Sequence, residues 1–566
     1  MTDQTNPQSS PPTWHQLIAR IAASKAGLWA IVIAIILAVL TGHQTLGVMD
    51  RDEARFAQAS KQMLESGDLV TPYFMDEIRA KKPIAIYWLQ SASAAIFGED
   101  RIASYRLPSL IGLVASLFLV YHFTASLWEG RHARLQGFIA AALLVSSPLI
   151  LAEAHLAKTD SVLLAVIIFQ QFMLWRIYRD RDVELPPRHW FGFWTALAIS
   201  ILLKGPVGPG VAIVTLAGLV IADRKFGWLK YLYWGRGLIW MCALVLPWVV
   251  AVSYATDGAF LDIAVKGDFL AKIQSGQESH GAPPATYLVL SALLLWPASL
   301  FAGFIGWLGK AVFRQDASRF CLVWAIGYWL MIELVPTKLP HYILPAMPAL
   351  VMLISHALLS AEATGSKLHR RIADLFYGLG MLAGAVLIAV LVWASIEHSG
   401  HAGGRALIFC LVCVCLGGLM AKLVYDWRAE RRFGHFVMII ITGLVFNTIA
   451  IAGVVSALDN IHVSGRLADR IESISPPPSA VAFAGYHEPS IAFHLGKDIL
   501  FVTDTEAGLF MAEAQDGLAV IEARHKDSFI AITEQLGLKL RQLDVIDGFN
   551  ISKGRAIRLI LYQPAN

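Results

Sequence analysis

Long apolar runs separated by short charged turns dominate this chain. About thirteen of them are long enough to cross the ~30 Å hydrocarbon core of a bilayer as helices. They centre near Ile36, Leu117, Leu143, Ile167, Leu197, Thr215, Leu244, Leu294, Ala325, Met352, Leu387, Val412 and Leu444. The runs at Leu197 and Thr215 are joined only by Lys204-Gly205-Pro206, which predicts a very tight hairpin.

Two stretches break the pattern. Between the first two runs, residues 49–107 alternate polar and apolar positions with helical spacing. Asp52 to Glu65 reads as an amphipathic helix with Ala54, Ala57 and Met63 turned toward the bilayer or a neighbouring span. Gly67-Asp68 ends it, Val70 to Phe74 is extended, and Pro83 to Ile96 is a second apolar helix with Tyr87 and Trp88 as interfacial anchors. Such helices lie in the membrane surface. After about residue 458 the spans cease. Beyond the stiff Pro476-Pro477-Pro478, short β-like runs (481–484, 499–502, 518–521, 556–561) alternate with helical stretches such as Asp527 to Leu536. The expected organisation is a membrane domain over 1–457 and a compact α/β domain over 458–566. Tyr486, His487 and Glu488 follow Gly485 in that tail and are read as an ordinary loop.

Composition agrees with the pattern. The chain is 56% hydrophobic and 16% charged, with a mean hydropathy of +0.57. Soluble domains sit near 45–50% and ~25%, so this is a polytopic α-helical membrane protein. The first run lacks a small-residue cleavage site and is expected to stay as an anchor. All five cysteines fall in or beside apolar runs, where a thiol acts as a small hydrophobe, and neither a disulfide nor a cysteine metal site is expected.

Basic residues crowd alternate loops, among them Arg131 and Arg134, Arg176 to Arg188, Arg224 to Arg236, Lys310 to Arg319, Lys367 to Arg371 and Lys422 to Arg432. The positive-inside rule makes these loops cytoplasmic together with the amino terminus. Segments 49–107, 153–160, 203–206, 255–285, 337–341 and 397–404, and the tail, then lie outside. The first of these is nevertheless rich in cations: Arg51, Arg55, Lys61, Arg79, Lys81, Lys82, Arg101 and Arg106. Anionic ligands are one reason to keep them there.

Candidate chemistry gathers on that outer face. Asp52 and Glu53 directly follow the first span, where charges are costly unless solvated, paired or used. Lys158-Thr159-Asp160 opens a span, so Asp160 also complements a helix dipole. Glu278 and His280, two residues apart, are weak candidates for a metal site. Thr337-Lys338-Leu339-Pro340-His341-Tyr342-Ile343-Leu344-Pro345-Ala346-Met347-Pro348 places three prolines around a lysine and a tyrosine at the mouth of a span. That predicts a rigid, helix-broken rim of the kind tolerated where it lines a cavity.

The set Asp52-Glu53, Lys82-Pro83, Thr159-Asp160, Lys204-Gly205-Pro206 and Lys338…Pro340-His341-Tyr342…Pro345…Pro348 resembles the bacterial branch of the protein O-mannosyltransferase family, which are GT-C membrane glycosyltransferases. Order, spacing and common side carry the resemblance over residues ~28 to ~350. The family often has Glu-Lys-Pro-Pro where this chain has Lys81-Lys82-Pro83-Ile84. The resemblance implies a GT-C fold and transfer of a sugar, 4-amino-4-deoxy-L-arabinose as first choice, from undecaprenyl phosphate. The implied acceptor is a lipid A phosphate at the outer face of the inner membrane, with resistance to polymyxin and cationic peptides as the consequence. A mannosyl-type transferase with a protein or glycan acceptor and a lipid-linked-sugar transporter are the alternatives. Charges gathered at one face, without an internal repeat, favour the enzyme.

In that reading Lys82 meets the lipid phosphate, Tyr342 donates a hydrogen bond, and Arg55, Arg79, Lys338, Lys204 and His341 assist. Asp52 stabilises positive charge on the reacting sugar or binds its ammonium group, with Glu53 and Asp160 as the other catalytic candidates. A divalent metal is left open. The expected partners are the lipid donor, the lipid A acceptor and membrane lipids, with no nucleic acid, and the expected state is a monomer.

Overall fold

The structure, a computed structural model, describes residues 14–49, 51–181, 183, 186–264, 282–309, 311–360, 366–400, 403–430, 432–514 and 516–565. Among them nine helices are long and apolar enough to cross a membrane: Lys25–Thr45, Ile102–Leu127, Asp160–Arg179, Trp234–Ala255, Asp316–Leu334, Pro340–Ser360, Lys367–His398, Gly403–Glu430 and Phe433–Ala457. Two further runs are bent pairs, Ala133–Val145 with Pro148–Ala154 at 69° and Thr286–Leu294 with Ala298–Leu308 at 115°. Each bend has a proline, Pro148 or Pro297, that removes a backbone donor from the helix.

The runs at Leu197 and Thr215 form helices of 17 residues each, Arg188–Lys204 and Val207–Asp223. At 1.5 Å per residue they reach about 26 Å, short of a full hydrocarbon crossing. Among the described residues the membrane-length count is nine, or eleven with each bent pair taken as one, and the expected figure of about thirteen is reached only by adding these two shorter helices. Gly205 closes their hairpin at φ 59°, a left-handed value that glycine tolerates, and its N–H donates to the Ile201 carbonyl at 2.9 Å. Pro340–Ser360 is the most enclosed of the nine membrane-length helices, whereas Trp234–Ala255 and Lys367–His398 are mostly open to the surroundings.

The segment after the first span carries the helices Arg51–Ser66 and Ala85–Phe97, with a two-residue hairpin between them, β1 (Tyr73–Phe74) against β2 (Glu77–Ile78). Ala54, Ala57 and Met63 are buried, as their spacing predicts. Trp88 is 40% exposed with its indole N–H donating to the Leu69 carbonyl at 2.8 Å. Tyr87, by contrast, is not an interfacial anchor. It is fully buried and serves as a hydrogen-bond partner inside the loop.

The tail forms a five-stranded sheet in the order β4-β3-β5-β7-β6: β3 (Val481–Ala484), β4 (Leu500–Val502), β5 (Leu518–Glu522), β6 (Leu540–Asn550) and β7 (Arg555–Pro564). β3 is parallel to β4 and β5, the apolar runs of β3 and β5 are buried on both faces while β4 is a partly exposed edge, and β7 and β6 extend the sheet antiparallel. Tyr486, His487 and Glu488 form the loop between β3 and the helix Pro489–Leu495, as expected, and from that loop Glu488 meets the membrane domain. Its carboxylate lies 3.8 Å from Arg51 and accepts from Asn550 at 3.0 Å and Ser552 at 3.2 Å. Phe493 packs edge-on to Tyr105 of the second span.

Candidate active site

Asp52 and Glu53 are adjacent in sequence but have different surroundings. Both sit in the first turn of Arg51–Ser66, where the helix dipole favours carboxylates. Glu53 is fully buried against an equally buried Arg106, with Nε–Oε1 at 2.8 Å and Nη2–Oε2 at 2.9 Å. Its oxygens also accept from the Ala157 and Met49 amides. The remaining Arg106 donors reach the carbonyls of His43, Leu46 and Gly47, so all five guanidinium N–H groups are used. Glu53 is therefore sealed into a joint between the first span, the loop and the second span, with both of its oxygens engaged.

Asp52 points the other way. Its side chain is 48% exposed, with Arg79 Nη2 at 4.0 Å. Burial pushes its carboxyl up, but Arg79, Lys158, Lys82 and Arg55 outweigh that and hold it below its ordinary value. Arg79 is itself fixed. Its Nε donates to the Tyr87 hydroxyl at 3.0 Å and its guanidinium lies 4.8 Å from the centre of the Phe56 ring. Burial pushes the Tyr87 phenol up, which keeps it protonated.

A second set of charges adjoins the first through Lys158. The Lys158 ammonium is 3.3 Å from Glu153 Oε1, and His341 Nδ1 is 3.9 Å from the same oxygen. Asp160 begins the helix Asp160–Arg179 and accepts from Lys204 Nζ at 2.5 Å. The Lys204 ammonium also lies 5.8 Å from the Tyr342 ring centre. His341 stands in the fields of Asp160, Lys204, Lys158 and Asp52, which ties the two sets into one cluster. His341 and Tyr342 are carried by a 3₁₀ segment, Pro340–Ala346, that runs directly into the α-helix Met347–Ser360, so the three-proline string tightens the first turns of that span rather than breaking it. Arg55, Arg79, Lys82, Lys158 and Lys204 face Asp52, Glu153 and Asp160, a formal excess of two positive charges. An incoming phosphate fits that excess.

Lys338 does not join the cluster. Its ammonium donates to the carbonyls of Glu333 at 2.9 Å and Val335 at 3.0 Å, and lies 3.5 Å from Glu333 Oε2. It caps the C-terminal end of Asp316–Leu334, satisfying carbonyls that a helix end leaves open. Glu278 and His280 lie outside the described residues. Among the described residues, the three-donor group that converges as a metal site would is elsewhere, at His15, Glu430 and His435.

Lys158 and Glu153 are the participants that motif reading passed over, one quoted without a role and the other unmentioned. Glu153 had a signal: it is a carboxylate in an otherwise apolar stretch after Pro148, and such a charge needs a partner.

Residues 81–250 match the family model described as dolichyl-phosphate-mannose-protein mannosyltransferase. The undecaprenyl phosphate-alpha-4-amino-4-deoxy-L-arabinose arabinosyl transferase of Erwinia tasmaniensis is 25% identical over 354 residues, covering 62% of this chain and 63% of that protein. A protein of the same name, numbered 2, from Pseudomonas fluorescens is 27% identical over 426 residues, covering 74% and 70%. The crystal structure of ArnT from Cupriavidus metallidurans bound to undecaprenyl phosphate superposes with a TM-score of 0.75 at 17% identity, covering 95% of this chain and 98% of that one. The chain thus has the GT-C fold, and its residues 81–250 resemble the mannosyltransferase family model.

Proposed function

We propose that this chain transfers 4-amino-4-deoxy-L-arabinose from undecaprenyl phosphate to a phosphate group of lipid A at the outer face of the inner membrane. The observation that carries the reading is the cation-rich cluster in which Arg79, Lys158, Lys82 and Arg55 surround the half-open Asp52 and Lys204 pairs with the adjoining Asp160. The names of the arabinosyl transferase relatives support the choice of sugar and carrier. The chain acts as a monomer, with the amino terminus cytoplasmic and the sheet domain, residues 458–566, outside.

A phosphate oxygen of the acceptor attacks the anomeric carbon as the bond from that carbon to the lipid phosphate breaks. The leaving lipid phosphate gains negative charge, which Lys82, Arg79 and Lys158 stabilise without reorganising because Arg79 and Lys158 are already held in place. Tyr342 and Lys204 hold the other side of the same phosphate. Asp52, kept ionised by its cations, stabilises positive charge on the sugar as the transition state forms. No general base is required, since the acceptor is already an anion. The product phosphate carries an ammonium group, which lowers the negative charge presented to polymyxin and other cationic peptides.

The test is incubation of the purified chain with radiolabelled undecaprenyl-phosphate aminoarabinose and lipid A. Label recovered on lipid A is the expected result. Label recovered only on a protein or glycan acceptor would replace the acceptor in this reading, and release of intact donor without transfer would replace the enzyme with a carrier.

A further inference from the structure

The amphipathic helix Trp14–Ala22 packs on the last membrane helix, and the contact assembles metal-ligating side chains unconnected with the Asp52 cluster. His15 lies on the N-terminal helix, Glu430 ends Gly403–Glu430, and His435 is in the first turn of Phe433–Thr448. One donor atom from each of the three lies within 4.8 Å of the other two. The imidazoles meet edge to face at 4.9 Å, and His435 Nδ1 is 3.8 Å from Glu430 Oε2.

Two features go beyond proximity. His15 is 9% exposed, and the Nδ1 atoms of both histidines are shielded from solvent without a hydrogen-bond partner among the described residues. Folded proteins pair nearly all such atoms, so two unpaired nitrogens within one three-donor group call for a shared ligand. Gly434 supplies the room: a Cβ there would stand 2.3 Å from His15 Nδ1.

We propose that His15, Glu430 and His435 bind a divalent transition metal, best matched by zinc, that ties the N-terminal helix to the junction of the last two membrane helices. Two imidazoles and one carboxylate are donors that zinc accepts, whereas calcium and magnesium take oxygen ligands. Bonds of ~2.0–2.2 Å at tetrahedral angles put donors about 3.4 Å apart. Side-chain rotation of about an ångström closes the present separations, and water completes the shell. Arg432 is the competitor, with its Nε 3.3 Å from Glu430 Oε2. The metal is structural. It joins the two ends of the membrane domain, across the Lys25–Thr45 span from Asp52.

The test measures zinc per chain by mass spectrometry, and affinity by titration against a chromophoric chelator, on the full chain in detergent. His15→Ala and His435→Ala are each expected to hold one zinc fewer than the wild type. Glu430→Gln is expected to weaken binding by at least the ~10–100-fold that loss of an outer-shell partner produces. Arg432→Gln is expected to tighten binding several-fold, a gain that a misfolded variant does not give. Zinc held elsewhere, including by Glu278 and His280, is common to all variants and cancels in the difference. Equal zinc content in the wild type and His435→Ala, or unchanged affinity in Arg432→Gln, would overturn the assignment.

Discussion

Glu53→Gln separates the two neighbouring carboxylates most sharply. The change preserves shape but removes the charge that neutralises Arg106, a residue with 0% exposure in the same joint. The new amide also has an NH2 where one oxygen of Glu53 accepts from Arg106 and from the Ala157 or Met49 amide. Removing one partner of a buried ion pair costs about 3–5 kcal/mol. At 1.4 kcal/mol per decade that is roughly 10²–10³·⁵ in the folding equilibrium. Unfolding by titration with sodium dodecyl sulfate in mixed micelles, followed by tryptophan fluorescence, should show a much lower midpoint for Glu53→Gln. The transfer rate per folded molecule should change far less. An unshifted midpoint would refute the structural role, and a stable variant that no longer transfers would place Glu53 in the chemistry.

Lys82→Met and Tyr342→Ala should each lower turnover and weaken lipid-phosphate binding by about 10–150-fold, the ~1.5–3 kcal/mol of a hydrogen bond to a charged group, while membrane insertion is unchanged. Normal kinetics in both would remove the phosphate site. Because the carboxyl of Asp52 is depressed below its ordinary value, it stays ionised above that value and its contribution is lost only as pH falls through the folded value. No acid limb in kcat/KM between about pH 5 and 7 should therefore depend on Asp52. A limb near pH 6 shared by wild type and Asp52→Asn would belong to the acceptor phosphate; one abolished by Asp52→Asn would contradict the assignment. For topology, in a chain with its native cysteines replaced, Leu509→Cys should be labelled in intact cells and Arg131→Cys spared. The reverse pattern would invert every face named above.

The sequence pattern was most legible where periodicity is strong and local. The helix expected over Asp52 to Glu65 is observed over Arg51–Ser66, and Pro83 to Ile96 is observed over Ala85–Phe97. The prolines at 340 and 345 announced irregular backbone at this rim, which is a 3₁₀ segment rather than a break, because a missing donor acts on its own turn. What stayed hidden depends on which distant segments meet. Asp52 and Glu53 share a helix turn and a dipole, and only the arrival of Arg106 from the second span and Ala157 from the next loop tells them apart. Tyr87 looked like an anchor beside Trp88, yet one residue of helical rotation turns it inward onto Arg79. Lys338 looked available until the end of the preceding helix claimed its three donors. Strand β6 was missed because Leu540–Asn550 mixes charged and apolar positions, as an edge strand paired on one side only can.

The central claim is that transfer occurs at the cluster around Asp52 and depends on its charge. Single-turnover transfer from undecaprenyl-phosphate aminoarabinose to lipid A, measured for the wild type and Asp52→Asn with donor binding determined in parallel, tests it most directly. The account predicts label on lipid A with the wild type, and a rate lower by about 100-fold or more in Asp52→Asn with donor affinity much less affected. Equal rates in the two proteins would contradict it.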